Sequence, residues 1–100
     1  MFTVQLTEEF QTWLDDLPDK RSRIRIVARL RQAESGNLGD WAPIQGSLSE
    51  MRIHFGPGYR LYFTRIGRIL VVMLYGGTKS TQARDISKAL RILETLDLDS

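Results

Sequence analysis

The sequence predicts an α+β domain in the order β-α-α-β-β-β-α, and three observations predict it. Two amphipathic stretches on either side of Pro18-Asp19 read as a helical hairpin. Three strand-like runs joined by short glycine turns read as antiparallel neighbours. A last amphipathic stretch reads as a third helix packed on that sheet. The chain has 100 residues, 42% of them hydrophobic and 26% charged. That balance fits one domain over 1–100 with a core large enough to need no staple.

Residues 2–6 are a short β-type run that Thr7 ends. Thr7 is suited to cap a helix, and Glu8 and Glu9 fall where the helix dipole favours acids. Phe10, Trp13, Leu14 and Leu17 follow at i, i+3, i+4 and i+7, one apolar stripe. Pro18-Asp19 breaks it, and a second helix runs to about Ser35, where Gly36-Asn37 stops it. Residues 36–47 read as a turn-rich connector. Strands are expected at Leu48–Phe55, at Tyr59–Arg65 after Gly56-Pro57-Gly58, and at Arg68–Tyr75 after Gly67. The last helix carries Ile86, Ala89, Leu90 and Leu93 on one stripe.

The absence of cysteine removes disulfide scaffolds, zinc ribbons and thiolate nucleophiles. His54 is the only histidine, so two-histidine metal motifs and His/His acid–base pairs are excluded too. No metal and no cofactor are expected. No apolar run approaches the roughly 18 residues of a membrane span, and the first ten residues do not read as a signal peptide. The expected address is the cytoplasm, without a membrane partner.

A net charge of +2 conceals a strong segregation. Residues 1–19 carry −5, residues 20–49 carry +4, residues 50–91 carry +6, and the last nine residues −3. Eleven of the fourteen bases are arginine, the side chain suited to bidentate phosphate contacts and to stacking on bases. Arg21, Arg25 and Arg29 recur at i, i+4 and i+8, and are expected opposite an arc of Ile24, Ile26, Val27 and Leu30. Like charges at that spacing repel. Either solvent tolerates the stripe or an acidic partner uses it.

Strand alternation sends Met51, Ile53 and Phe55 one way, and Glu50, Arg52 and His54 the other. In the next strand Leu61 and Phe63 point to the core, with Arg60, Tyr62 and Thr64 opposite. One sheet face then gathers Glu50, Arg52, His54, Arg60 and Tyr62, either as a solvated face with cross-strand ion pairs or as a working surface. The third strand, RILVVMLY, is apolar throughout and reads as covered on both sides. Gly76-Gly77, Lys79 and Ser80 precede the last helix, as an anion site at a helix N-terminus or as an ordinary strand-to-helix turn.

Phe10, Trp13-Leu14, Leu17 and Asp19, the segment GNLGD, LSEMRIHFGPGYRLYF and GGTKSTQARDISKA together resemble the RelE/ParE superfamily of bacterial addiction-module toxins. More narrowly they resemble its HigB-like, phage-associated addiction module killer branch, over about residues 2–93. The resemblance implies a helical hairpin and C-terminal helix packed on a curved antiparallel sheet. It implies a metal-independent endoribonuclease that cuts mRNA on the ribosome until a cognate antitoxin neutralises it. The antitoxin would be a small helix-turn-helix protein, through which the complex binds operator DNA. The alternative within the superfamily is a ParE-like inhibitor of DNA gyrase without nuclease activity.

Carried over residue by residue, the resemblance makes Glu50 the base and Arg60 the phosphate clamp. Arg52 would orient Glu50 or the phosphate, and Lys79 would be a second cation or the acid. His54, Tyr62 (as a stacking platform), Arg65, Arg25 and Arg29 would contact RNA. The histidine or tyrosine pair found at the active edge of some members has no counterpart here.

Overall fold

A computed structural model describes residues 1–96; the last four residues of the domain expected over 1–100 lie outside the described residues. The elements are β1 (Thr3–Leu6), α1 (Glu8–Asp15), α2 (Lys20–Glu34), β2 (Trp41–Gln45), β3 (Leu48–Ile53), β4 (Tyr59–Ile66), β5 (Leu70–Thr78) and α3 (Gln82–Thr95). A single 3₁₀ turn, Lys79–Thr81, leads into α3. Among the described residues no helix is long and apolar enough to cross a membrane.

The α+β class stands, with one strand more than the sequence pattern disclosed. Residues 41–45 pair antiparallel with β3, so part of the expected connector forms the sheet edge. Pro43 lies in the middle of that strand, a residue that edge strands tolerate and interior ladders do not. The five strands are ordered β1-β5-β4-β3-β2. The sheet is mixed, because β1 lies parallel to β5 while every other pair is antiparallel. A crossover through both helices of the hairpin separates β1 from the rest, which permits that direction.

Thr7 caps α1 as expected, and Asp19, read from the sequence only as a breaker, caps α2. The Thr7 hydroxyl accepts from the Phe10 N–H at 3.0 Å, and the Asp19 carboxylate accepts from the Arg21 N–H at 3.0 Å. These side chains satisfy amides that the first helical turn leaves free. The hydroxyl of Ser22 also donates to Asp19, and that bond above all holds the Asp19 carboxyl below its usual range.

The sheet is covered on both faces. Phe10, Leu14, Ile26, Leu30 and Ala33 of the hairpin pack on Met51, Ile53, Leu61, Phe63, Val71 and Met73. Ala89 and Ile92 of α3 pack on Leu48, Tyr62, Val72 and Leu74. The alternation of Val71 and Met73 against Val72 and Leu74 is that of a strand buried on both sides, as RILVVMLY predicts.

Two expectations about faces are corrected. In α2 the buried residues are Ser22, Ile26, Leu30 and Ala33, and Ile24 is 58% exposed. At 100° per residue Ile24 sits about 200° from Ile26, so the two cannot share an arc. Arg29, three residues after Ile26, is instead turned inward and half-buried. The second correction concerns Gly76 and Gly77, which lie inside β5 and not in a loop before the helix. Trp13 covers Gly76 from the hairpin side and Asp85 covers Gly77 from the α3 side. A methyl group at either position would overlap its neighbour, so close approach is what these glycines provide.

Candidate functional site

Cross-strand register builds the first half of the site. Glu50 lies opposite Tyr62, Arg52 opposite Arg60, and Arg60 opposite Gly77, so β3, β4 and β5 contribute neighbouring positions on the α3 face. Arg60 Nε stands 3.7 Å from Glu50 Oε1, and Arg52 Nη1 stands 4.0 Å from Glu50 Oε2. From the start of α3, Gln82 Nε2 donates to Glu50 Oε1 at 3.3 Å.

Alpha3 closes over that cluster. The expected solvent-facing surface is therefore an interior one: Arg60 is only 7% exposed and Tyr62 is fully buried. Tyr62 in this conformation has no ring face free for a base, and Arg60 meets Glu50 instead of solvent. Burial, with Glu50 and Asp85 adding negative potential, pushes the Tyr62 hydroxyl up from 10.0 to about 12. Asp85 is a buried carboxylate of α3 that accepts from the Thr81 hydroxyl at 2.5 Å and lies 3.6 Å from Arg84 Nε.

Arg52 joins this inner cluster to an outer one. Its Nη2 lies 3.2 Å from Asp40 Oδ1, and Asp40 Oδ2 lies 2.8 Å from His54 Nε2. The run His54–Asp40–Arg52–Glu50–Arg60 thus passes from a ring 71% exposed to a guanidinium sealed under α3. The bond to His54, with Arg52 beyond it, holds the Asp40 carboxyl below its usual range.

Arg29 fixes the outer cluster in place. Its guanidinium donates to the carbonyls of Arg52 (2.6 Å), Leu38 (3.0 Å) and Asp40 (3.2 Å). One side chain of α2 so ties together both strands that carry the cluster. Burial lowers the Arg29 pKa, while Asp40 opposes the shift. Arg29 is accordingly a structural tie and not the outward contact expected from the stripe. Arg25, one turn earlier, sits over the Phe55 ring at 4.5 Å. Arg25, Arg29, Arg52, His54, Phe55 and Asp40 line an open cleft of about 470 Å³ between α2 and the ends of β2 and β3.

Two expected members stand apart. Arg65 is at the far end of β4, over the Phe2 ring at 5.1 Å. Lys79 is exposed at the end of β5, its N–H donating to the Gly58 carbonyl at 2.7 Å. Sequence reasoning missed Asp40, Gln82 and Asp85. Asp40 was hidden because residues 36–47 read as connector, and Gln82 and Asp85 because the last helix was read only for its apolar stripe.

Residues 12–94 match the protein family described as Phage derived protein Gp49-like. A protein of Haemophilus influenzae, described as uncharacterized, is 37% identical over 95 residues, covering 95% of this chain and 96% of its own. Among solved structures, the toxin–antitoxin complex RelBE2 from Mycobacterium tuberculosis contains a chain with the same fold. Its TM-score is 0.56 at 21% identity, over 78% of this chain and 98% of that one.

Proposed function

We propose that this chain, which belongs to the phage-derived Gp49-like family, is the toxin of a toxin–antitoxin module and cleaves mRNA. The observation that carries the reading is the open cleft lined by Arg25, Arg52, His54 and Phe55, with Arg25 over the Phe55 ring. Guanidinium groups beside an aromatic ring suit a phosphodiester backbone with a stacked base. The fold shared with the RelBE2 complex supports the toxin role, and the sequence motifs support the branch.

In cleavage the RNA 2′-hydroxyl attacks the adjacent phosphorus, and the added charge on phosphate needs a fixed cation. Arg52, held between Asp40 and Glu50 and partly exposed in the cleft, is the guanidinium assigned to that task. Arg60 and Glu50 set the potential behind it. Lys79 would contact RNA beyond the cleft. The reaction requires no metal or cofactor. A cognate antitoxin, a small helix-turn-helix protein that also carries the complex to operator DNA, would neutralise the protein by covering this basic cleft. Mapping mRNA 5′ ends after a brief pulse of expression tests the proposal. New ends, translation arrest and rescue by the cognate antitoxin are expected. DNA-damage signalling with intact mRNA would replace the reading with gyrase inhibition.

A further inference from the structure

We propose that His54 and Asp40 form a catalytic dyad, with His54 Nδ1 taking the proton from the attacking 2′-hydroxyl. The proposal rests on the RNA-cleaving reading and adds the group that performs the proton transfer. Three observations carry it.

The first is the pairing itself. His54 Nε2 and Asp40 Oδ2 are 2.8 Å apart, and an ionised carboxylate only accepts. Nε2 therefore carries the proton, which leaves the lone pair of the neutral ring on Nδ1. Among the described residues no hydrogen bond engages Nδ1.

The second is access. The His54 side chain is 71% exposed, whereas the Glu50 side chain is 12% exposed and already engaged by Gln82 and Arg60. Beside Arg52, Glu50 is covered and both oxygens of Asp40 are engaged by Arg52 and His54, so the exposed His54 ring is the acceptor a polynucleotide can reach.

The third is preorganisation. Arg29 holds the carbonyls of Asp40 and Arg52, and the Arg52 N–H donates to the Asp40 carbonyl at 2.9 Å. The same Asp40 carboxylate that orients His54 also binds Arg52 through its other oxygen. A proton acceptor and a phosphate-binding cation thus share one anchor, a geometry that fixes their separation.

The step balances without a co-reactant other than water. The 2′-oxygen forms a bond to phosphorus as its proton passes to Nδ1, and the bond from phosphorus to the 5′-oxygen breaks. The departing 5′-oxygen takes a proton from water, and the resulting hydroxide removes the proton from His54. The products are a 2′,3′-cyclic phosphate and a 5′-hydroxyl end. The charged groups that line the cleft with the His54 ring are Asp40 before β2, Arg52 on β3, and Arg25 and Arg29 on α2.

The test uses full-length protein made in a cell-free system and a fluorescent single-stranded oligoribonucleotide, alone and on programmed ribosomes. His54→Ala should lower kcat by about 10²–10⁴-fold, the range of a lost general base, with KM little changed. Asp40→Asn should lower kcat with KM little changed, because an amide no longer holds the ring with its proton on Nε2. His54→Gln, judged by the same melting temperature as the wild type, separates lost chemistry from lost folding. If the wild type cleaves and both His54 variants cleave at its rate with its pH profile, the dyad is overturned and the RNA-cleaving reading stands. If the wild type cleaves no RNA in either format, the reading and the dyad fall together.

Discussion

Gly77 and Asp85 occupy adjoining space: the Asp85 carboxylate stands where a Cβ on Gly77 would project. The contact lets a buried acid of α3 rest directly on β5, opposite the strand position of Arg60. Gly77→Ala must push α3 outward or tilt β5. Overpacking of this kind costs about 1–3 kcal/mol, and Asp85 cannot retreat because Thr81 holds it at 2.5 Å. Urea unfolding should show a lower midpoint, and Gly76→Ala should behave similarly through the Trp13 ring.

Arg60 and Glu50 form a nearly buried pair at 3.7 Å. Removing one partner leaves the other charge without compensation, so Arg60→Ala should lose about 3 kcal/mol of stability. Arg60→Met combined with Glu50→Gln should recover part of that loss, since both charges then leave the interior together. Chemical denaturation of Arg60→Met, Glu50→Gln and the double variant measures the coupling. A loss in the double variant equal to the sum of the two single losses would mean that the ion pair is energetically idle.

Arg29 supports three backbone carbonyls at once. Arg29→Ala removes charge-assisted bonds worth about 1.5–3 kcal/mol each before any compensation by water, so a lower melting temperature is expected. Arg29→Lys should restore little, because an ammonium cannot reproduce the planar fork. In NMR spectra the His54 ring resonances should shift in Arg29→Ala, reporting movement of Asp40. Unmoved resonances would show that the His54–Asp40 pair stands without the tie.

Tyr62 should ionise at about pH 12 in place of the ordinary 10.0. The sign follows from linkage: the unfolded chain releases this proton first as pH rises. The contribution is intact below pH 10.0 and is lost progressively towards about pH 12. Tyrosinate absorbance and denaturation midpoints across that window measure it. The hydroxyl is buried without a hydrogen-bond partner among the described residues. Tyr62→Phe should therefore be neutral or stabilising, and should remove the contribution of Tyr62 to the alkaline loss.

Periodicity alone specifies the secondary elements wherever it is strong. The stripe Phe10, Trp13, Leu14 and Leu17, the doubly apolar RILVVMLY and the glycine turns all led to the correct elements, because burial imposes periods of 3.6 and 2. The sequence also assembled Glu50, Arg52 and Arg60, since antiparallel register follows from short turns. Which polar face is covered emerges only when the helices pack on the sheet. A strand with Arg60 and Tyr62 on one side reads as solvent-facing until a helix from elsewhere in the chain packs there. Likewise Asp40 lies 14 residues from His54 and in a segment without periodicity, so no local pattern could announce the pair. Its geometry arises from an arginine on α2 drawing two strand ends together, an arrangement set by helix placement and not by residue order.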